Sequence, residues 1–155
     1  MILPTKLASL GFGLADVDAA DLEDYLRIKR ICYEKYTMEY YGSWNEEMNR
    51  ESFARVLGAT CFKKILMNGK TVGFFAFREM EDEIGIISIE MLEESRNKGI
   101  GTFFLGLVTE MSRKTGKPAS LKVFKSNPAR DLYGRFGFNV CAKTESHYHM
   151  KYFAH

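Results

Sequence analysis

The segment Arg96-Asn97-Lys98-Gly99-Ile100-Gly101 places two glycines and two basic residues at the start of a predicted helix. The first amides of a helix have no partner within it and lie at the positive end of its dipole, so they bind anions well. Glycine has no Cβ to obstruct a diphosphate, and Arg96 and Lys98 would add charge-assisted hydrogen bonds. The competing segment Gly11-Phe12-Gly13 has Asp16 where a dinucleotide fingerprint needs a third glycine, and the sequence contains no complete P-loop. Residues 96–101 are therefore predicted to bind a diphosphate.

Several titratable side chains are candidates for moving a proton. Glu90 lies in an otherwise apolar strand, where burial would raise the pKa of its carboxyl group toward a value useful for a general base. Glu83, His147 and His149 are alternatives, and a chain of water molecules would need no single base. His147 and His149 are expected to share one strand face, but without a third ligand no metal site is predicted.

The composition is that of a globular protein with one hydrophobic core. The 155 residues are 46% hydrophobic and 27% charged, and a single domain over residues 1–155 is expected. The net charge is only +2 and the basic residues are scattered, so a nucleic-acid partner is not expected.

The cysteines indicate the compartment. Cys32, Cys61 and Cys141 are odd in number and far apart, which favours reduced thiols in a cytoplasmic protein. The start of the chain, interrupted by Pro4, does not resemble a signal peptide, and no apolar run is long enough to span a bilayer. A soluble protein without a membrane partner is expected.

The amino-terminal third is predicted to form one strand and two helices. A strand around residues 10–15 precedes Asp18 and Asp21, and either aspartate suits the cap of a first helix. The apolar face of that helix consists of Leu22, Tyr25, Leu26, Cys32, Tyr33 and Tyr36. The capping-box spacing of Ser43-Trp44-Asn45-Glu46 starts a second helix, which ends at Gly58.

A hairpin and a buried strand follow. Residues 60–67 and 70–78 flank Asn68-Gly69, a dipeptide suited to a tight turn between antiparallel strands. Residues 84–92 read as an apolar strand buried on both faces.

The carboxy-terminal half alternates helices and strands. Apolar residues recur at helical spacing through residues 99–115, ahead of the stop signals Gly116 and Pro118. A strand over 121–125, a short helix opened by Asn127-Pro128, and two strands within 138–153 complete a mixed α/β fold.

Two motifs resemble those of the GNAT superfamily of N-acetyltransferases. Residues 96–101 match the Arg/Gln-x-x-Gly-x-Gly/Ala pyrophosphate loop of that family. The second cofactor motif of the family is matched by Asn127-Pro128-Ala129-Arg130-Asp131-Leu132-Tyr133 with Phe136-Gly137-Phe138. The order of elements also follows that fold, so the resemblance covers most of the chain.

The resemblance implies how acetyl-CoA, the co-substrate, would bind. A mixed, mostly antiparallel sheet flanked by helices would splay after its fourth strand, often at a β-bulge, and admit the pantetheine arm. The arm would pair with backbone groups of Met91, Leu92 and Glu93, where Glu93 replaces the proline of many relatives. Asn127 would contact the arm through its amide, and Arg130 of the same motif is also assigned to the cofactor. The pyrophosphate would rest on Asn97, Lys98, Gly99, Ile100, Gly101 and Thr102.

The resemblance also implies the chemistry. Tyr133 occupies the position of the family's tyrosine that faces the sulfur, and it would protonate the departing thiolate. Glu90 is the candidate base, and a backbone N–H of the strand over residues 84–92 would hold the oxyanion. An ordinary core aromatic is the alternative interpretation of Tyr133.

The acceptor would enter over the first two helices and the last hairpin. Rings and carboxylates suited to a cationic amine are present there: Tyr33, Tyr36, Tyr40, Tyr41, Trp44, Glu46 and Glu47. Core packing by the rings and helix-dipole pairing by the two glutamates explain the same residues more simply. A protein N-terminus, a lysine, a polyamine and an aminoglycoside all remain open as acceptors, as do a longer acyl donor and a homodimer. The competing function is a non-catalytic acyl-CoA-binding regulatory module.

Overall fold

The computed structural model describes residues 1–154, which form one seven-stranded sheet with five α-helices packed around it. The helices are α1 (Thr5–Ser9), α2 (Leu22–Tyr41), α3 (Glu46–Val56), α4 (Ile100–Thr115) and α5 (Ala129–Arg135). The strands are β1 (Phe12–Asp16), β2 (Cys61–Met67), β3 (Lys70–Glu79), β4 (Ile84–Met91), β5 (Ala119–Phe124), β6 (Asn139–Lys143) and β7 (His147–Tyr152). None of the helices within residues 1–154 is long and apolar enough to cross a membrane.

The sheet has the strand order β1-β2-β3-β4-β5-β7-β6. All neighbouring strands are antiparallel except β4 and β5, which are parallel because α4 carries the chain back between them. This is the mixed, mostly antiparallel sheet that the sequence predicts.

The parallel pair separates soon after it starts. β4 and β5 pair only at Ile84 with Ala119 and at Gly85 with Ser120. Of the remaining six residues of β4, five pair with β3 alone and Ile87 pairs with neither neighbour, so the other backbone edge of this part of β4 faces the opening toward β5. The splay predicted after the fourth strand is confirmed.

A β-bulge lies in β4 next to this opening. Ala76 pairs with Ser88, but the next residue, Phe77, pairs with Ile86, which leaves Ile87 without a partner on β3. Because side chains alternate between faces, the extra residue reverses the alternation. Ser88 and Glu90 consequently lie on the opposite face from Ile84 and Ile86.

The two faces of the sheet carry separate cores. On one face, α4 packs Phe104, Leu105 and Val108 against buried strand residues, including Ile84 and Ile86. On the other face, α2 and α3 pack Tyr25, Ile28 and Phe53 against β2 and β3. Glu90 therefore lies on the face covered by α2.

The prediction for β4 was wrong in one respect. The strand is not apolar and buried on both faces, because burial alternates along it and Ile87 is 37% exposed. The separation from β5 leaves one side of the strand without a cover, and the buried positions beyond the bulge are the polar residues Ser88 and Glu90.

Two helix starts also differ from the predictions. Residues 5–9 form the unpredicted α1, which is too short to show a helical repeat. α3 is capped by Asn45 and not by Ser43, because the Asn45 Oδ1 accepts a hydrogen bond from the Met48 N–H at 3.1 Å. The predicted helix over residues 99–115 is confirmed and ends at Gly116 in the left-handed conformation.

Candidate active site

The turn before α4 exposes backbone donors. Asn97 and Gly99 adopt left-handed conformations, with φ of 62° and 106°. No side chain of the described residues caps the helix, and the amides of Ile100, Gly101 and Thr102 are too near its start to have partners within it. The turn thus has the donors and the helix dipole that an anion site requires.

Gly101 is also needed for packing. A Cβ at this position would lie 3.2 Å from Leu132 Cδ2 of α5, closer than ordinary van der Waals contact. The missing side chain therefore lets α5 approach the first turn of α4, a role that the sequence analysis did not assign to this glycine.

The two basic side chains of the turn contact nearby carbonyl groups. Arg96 Nε donates to the Met91 carbonyl at 2.7 Å, and its guanidinium lies 3.7 Å from the Cys32 sulfur. Lys98 Nζ donates to the Glu94 carbonyl at 2.9 Å. Both would have to leave these contacts to reach a phosphate on the α4 amides.

Among the predicted contact residues Met91, Leu92 and Glu93, the open edge of β4 is available at Met91. The Leu92 N–H donates to Val72 of β3, and its carbonyl accepts from Ser95. Because successive residues of a strand direct their backbone groups to opposite sides, the Met91 N–H points away from β3 and toward the opening. Of the three predicted pantetheine contacts, Met91 is the one whose N–H faces that edge, while the Leu92 backbone is already bonded.

The second motif forms the wall opposite β4. Asn127 Oδ1 accepts from the Ala129 N–H at 2.9 Å immediately before α5, which leaves the Asn127 Nδ2 group available, and Asn127 lines the cavity between β4 and β5. Arg130 is exposed and does not line the cavity that Asn127 lines. Its guanidinium carbon lies 4.9 Å from the centre of the Tyr148 ring.

A cavity of 720 Å³ lies where β4 and β5 part. Ile87 and Ile89 line one side of it, and Val123 and Phe124 line the other. Tyr133 also lines this cavity although it is only 6% exposed. Burial raises the pKa of Tyr133, and the nearby Glu90 carboxylate raises it further, so the phenol keeps its proton at neutral pH.

Glu90 is buried under α2 and does not line the cavity. Its Oε1 lies 3.5 Å from Lys29 Nζ, and Lys29 does line the cavity. Burial raises the pKa of the Glu90 carboxyl, while Lys29 acts in the opposite direction. Tyr33, which donates to the Ile89 carbonyl at 3.1 Å, lies beside this pair.

Of the other predicted bases, His147 lines the cavity. Its Nδ1 lies 2.7 Å from Ser146 Oγ, which in turn lies 2.7 Å from the Tyr41 hydroxyl. Burial, followed by the charge of Lys122, holds the pKa of His147 below its ordinary value. The neutral imidazole is therefore the prevailing form at neutral pH. Glu83 pairs with Lys151 at 3.8 Å, away from the cavity.

Within residues 1–154 no group of three or more histidine, cysteine or acidic side chains is arranged to hold a metal ion.

The family follows from sequence comparison. A family model described as Acetyltransferase (GNAT) family matches residues 29–138, which is well over half of the chain. The chain belongs to the GNAT acetyltransferase family.

Individual relatives agree with this assignment. The [ribosomal protein bS18]-alanine N-acetyltransferase of Haemophilus influenzae is 30% identical over 86 residues, 55% of this chain. The match spans 59% of that relative, which is less than two thirds of its length.

Solved structures share the fold. The PaiA N-acetyltransferase of Thermoplasma acidophilum in complex with coenzyme A superposes with a TM-score of 0.71 at 18% identity, over 92% of this chain and 99% of that one. The ribosomal-protein-S18-alanine N-acetyltransferase of Escherichia coli gives 0.68 at 21% identity, over 92% and 93% of the two chains.

The tyrosines of α2 in this GNAT chain pack around one ring of β5, but Tyr33 and Tyr41 also line the cavity, and Tyr41 is 59% exposed. Four of them surround Phe124 of β5 with ring centres 5.5–6.5 Å away: Tyr33, Tyr36, Tyr40 and Tyr41. Glu46 and Glu47 are exposed in the first turn of α3 and are absent from the cavity lining, so they complement the helix dipole.

The sequence analysis missed Lys29. Tyr25, Lys29 and Tyr33 are spaced four residues apart on α2, so they share one helix face. A lysine in the middle of an otherwise apolar helix face was the signal that a buried partner, here Glu90, would be found across the interface.

Proposed function

We propose that this GNAT protein transfers the acetyl group of acetyl-CoA to a primary amine, which attacks the thioester directly. The observation that carries the proposal is the parting of β4 from β5 between the uncapped start of α4 and the buried Tyr133. In this proposal the α4 turn is the phosphate site, the opening is the slot for the pantetheine arm, and Tyr133 is the acid.

Acetyl-CoA would extend from the turn before α4 into this slot. Its pyrophosphate would accept hydrogen bonds from the backbone of residues 97–102. The pantetheine arm would pair with the Met91 N–H at the open edge of β4 and with Asn127 Nδ2 opposite it. Binding of coenzyme A is supported by the shared fold with the PaiA N-acetyltransferase, whose structure is a complex with coenzyme A.

The reaction would then proceed in the slot. The amine nitrogen attacks the thioester carbon, and a backbone N–H of β4 stabilises the oxyanion. Collapse of the intermediate expels the CoA thiolate, which takes the phenolic proton of Tyr133. The high pKa of Tyr133 does not prevent this step, because the same burial makes the thiolate a stronger base than it is in water.

Direct attack is supported by the state of Cys32, the cysteine nearest to the opening. Its thiol is buried, and burial followed by the charge of Glu90 raises its pKa. A cysteine becomes a good nucleophile when its pKa is lowered, so an acetyl-cysteine intermediate is not favoured.

We assign the proton-accepting role to His147, which lines the cavity in its neutral form. Glu90, the base suggested by the sequence, lies behind Lys29 and Tyr33 and would need them, or water, as a relay.

The α-amino group of a protein or peptide is our proposed acceptor. Its pKa of about 7.7–8.0 leaves roughly a tenth to a sixth of the amine neutral at pH 7, whereas the pKa of about 10.4 of a lysine leaves about one molecule in 2,500 neutral. The alanine N-acetyltransferase relative supports this choice.

We further propose a cytoplasmic location, supported by the three free cysteines among the described residues.

Two measurements test the function. At a hundred times its dissociation constant, acetyl-CoA should stabilise the protein by about 2.7 kcal/mol and raise the melting temperature by about 5–10 °C. Release of free CoA thiol should then depend on an added amine, and a panel of acyl-CoA donors identifies the transferred group. A melting shift without any amine-dependent thiol release would favour the non-catalytic binding module.

A further inference from the structure

The charged residues that line the cavity are all basic. They are Lys29 from α2, Arg55 from α3 and Lys122 from β5, and no aspartate or glutamate lines it within residues 1–154. The three side chains come from different elements, so the positive charge surrounds the space and is not confined to one helix.

Two of these charges are not neutralised. Lys29 is paired with Glu90, whereas Arg55 and Lys122 form no ion pair in the described part of the chain. The charge of Lys122 acts inside the cavity, because it helps to hold the pKa of His147 low. An acceptor in the cavity would therefore meet a net positive potential.

One neutral polar group of the lining, the Trp44 indole, also favours a ligand that accepts hydrogen bonds. Trp44 lines the cavity, and its Nε1–H is buried without a hydrogen-bond partner among the described residues. The side-chain oxygen of the neighbouring Asn45 is occupied as the cap of α3. A buried donor without a partner is costly, and a carboxylate offers only acceptors.

From this lining we infer that the acceptor carries a carboxylate close to the reacting amine, as in a peptide with an acidic residue next to its N-terminus. Arg55, Lys122 and the Trp44 N–H would receive that carboxylate. Polyamines and aminoglycosides, which are polycations, would be repelled. The inference rests on the proposed acetyl transfer and specifies its acceptor.

The test compares three otherwise identical peptides that begin with alanine and have glutamate, glutamine or lysine as the second residue. We expect kcat/KM for acetylation to decrease in that order, with the glutamate peptide favoured over the lysine peptide by about fivefold or more at low salt. Because exposed charges are screened, the ratio should shrink as salt is added. Free glutamate is tested as a fourth acceptor, and its kcat/KM relative to that of the glutamate peptide distinguishes a small-molecule acceptor from a peptide.

Charge-reversal variants show whether the cavity causes the preference. Lys122→Glu and Arg55→Glu should each remove or invert the preference. Lys70→Glu, at an exposed position outside the lining, makes the same change in net charge and should keep it. Equal kcat/KM values for the three peptides, or a preference that survives in Lys122→Glu and Arg55→Glu, would overturn the inference while leaving the transferase proposal standing. Absence of transfer to every acceptor would overturn both.

Discussion

Glu90 and Lys29 form an ion pair across the interface between β4 and α2, with Oε1 3.5 Å from Nζ. The Glu90 side chain has no exposed surface, and neither carboxylate oxygen has a hydrogen-bond partner within residues 1–154. The pairing is therefore coulombic at this distance. Burial alone would lower the pKa of Lys29, but the Glu90 carboxylate and the Tyr25 hydroxyl together outweigh burial, and the pKa is raised.

Removing one partner of this pair should be costly. Lys29→Met leaves the Glu90 charge buried without compensation, which we expect to lower the free energy of unfolding at pH 7 by about 3–5 kcal/mol. Urea denaturation measures the loss. In the double variant Lys29→Met/Glu90→Gln no charge is buried, so most of the stability should return.

The pH dependence has a definite sign. A carboxyl group whose pKa is higher in the folded state contributes most to stability below its unfolded pKa, and that contribution is lost as pH rises through the folded pKa. The loss in free energy of unfolding caused by Lys29→Met should therefore shrink as pH falls and Glu90 takes up a proton. A deficit of the same size in acid and at pH 7 would contradict the pairing.

Local patterns in the sequence predicted the features that depend on nearby residues. The helix over residues 99–115 and the hairpin at Asn68-Gly69 follow from periodicity and turn chemistry, and both are confirmed. The splay between β4 and β5 came instead from the family resemblance, because no local pattern reports where two distant strands stop pairing.

The features that were missed depend on contacts between distant residues. The family resemblance implied a β-bulge at the splay, but no residue near Ile87 signals its position, and this position reverses the facing of Glu90. The approach of Leu132 to Gly101 joins α5 to α4 across some 30 positions of the chain. The basic lining formed by Arg55 and Lys122 becomes visible only when α3 and β5 are brought together.

Substitutions at Gly101 separate packing from cofactor binding. Gly101→Ala should change the free energy of unfolding by less than about 1 kcal/mol, since its gain in helix propensity opposes the displacement of Leu132. Gly101→Glu also places a negative charge at the diphosphate position and should abolish acetyl-CoA binding while unfolding stays cooperative. Calorimetric titration of both variants measures the difference. Equal affinity in the two would remove the argument for a diphosphate at this turn.

Tyr133→Phe tests the proposed acid. The ring and its packing remain, so affinity for acetyl-CoA should change little, but the transfer step should slow by about a hundredfold to ten-thousandfold. Single-turnover kinetics are required because slow product release can hide a loss in the chemical step. A rate within about threefold of the wild-type rate, far from the loss expected for an acid, would assign Tyr133 to packing alone.

His147→Gln tests the proposed base. Below pH about 7.7–8.0 kcat/KM should fall because the acceptor amine becomes protonated. Because the pKa of His147 is lowered, protonation of the imidazole should add a further acid limb that begins only below its ordinary value of 6.5. The variant should lose this acid limb together with much of its activity, and Glu90→Gln is the comparison that should keep the limb. Loss of the acid limb in Glu90→Gln together with its retention in His147→Gln would assign the role of base to Glu90.

Direct transfer of an acetyl group to an amine is tested most directly by intact-mass analysis of one turnover. Enzyme, acetyl-CoA and a peptide with a free N-terminus are mixed and quenched at intervals. We predict that the peptide gains one acetyl group on its α-amine, in step with CoA release, and that the enzyme mass never changes. An acetylated enzyme that precedes the acetylated peptide, or acetyl-CoA that stays bound and intact beside every peptide offered, would contradict the account.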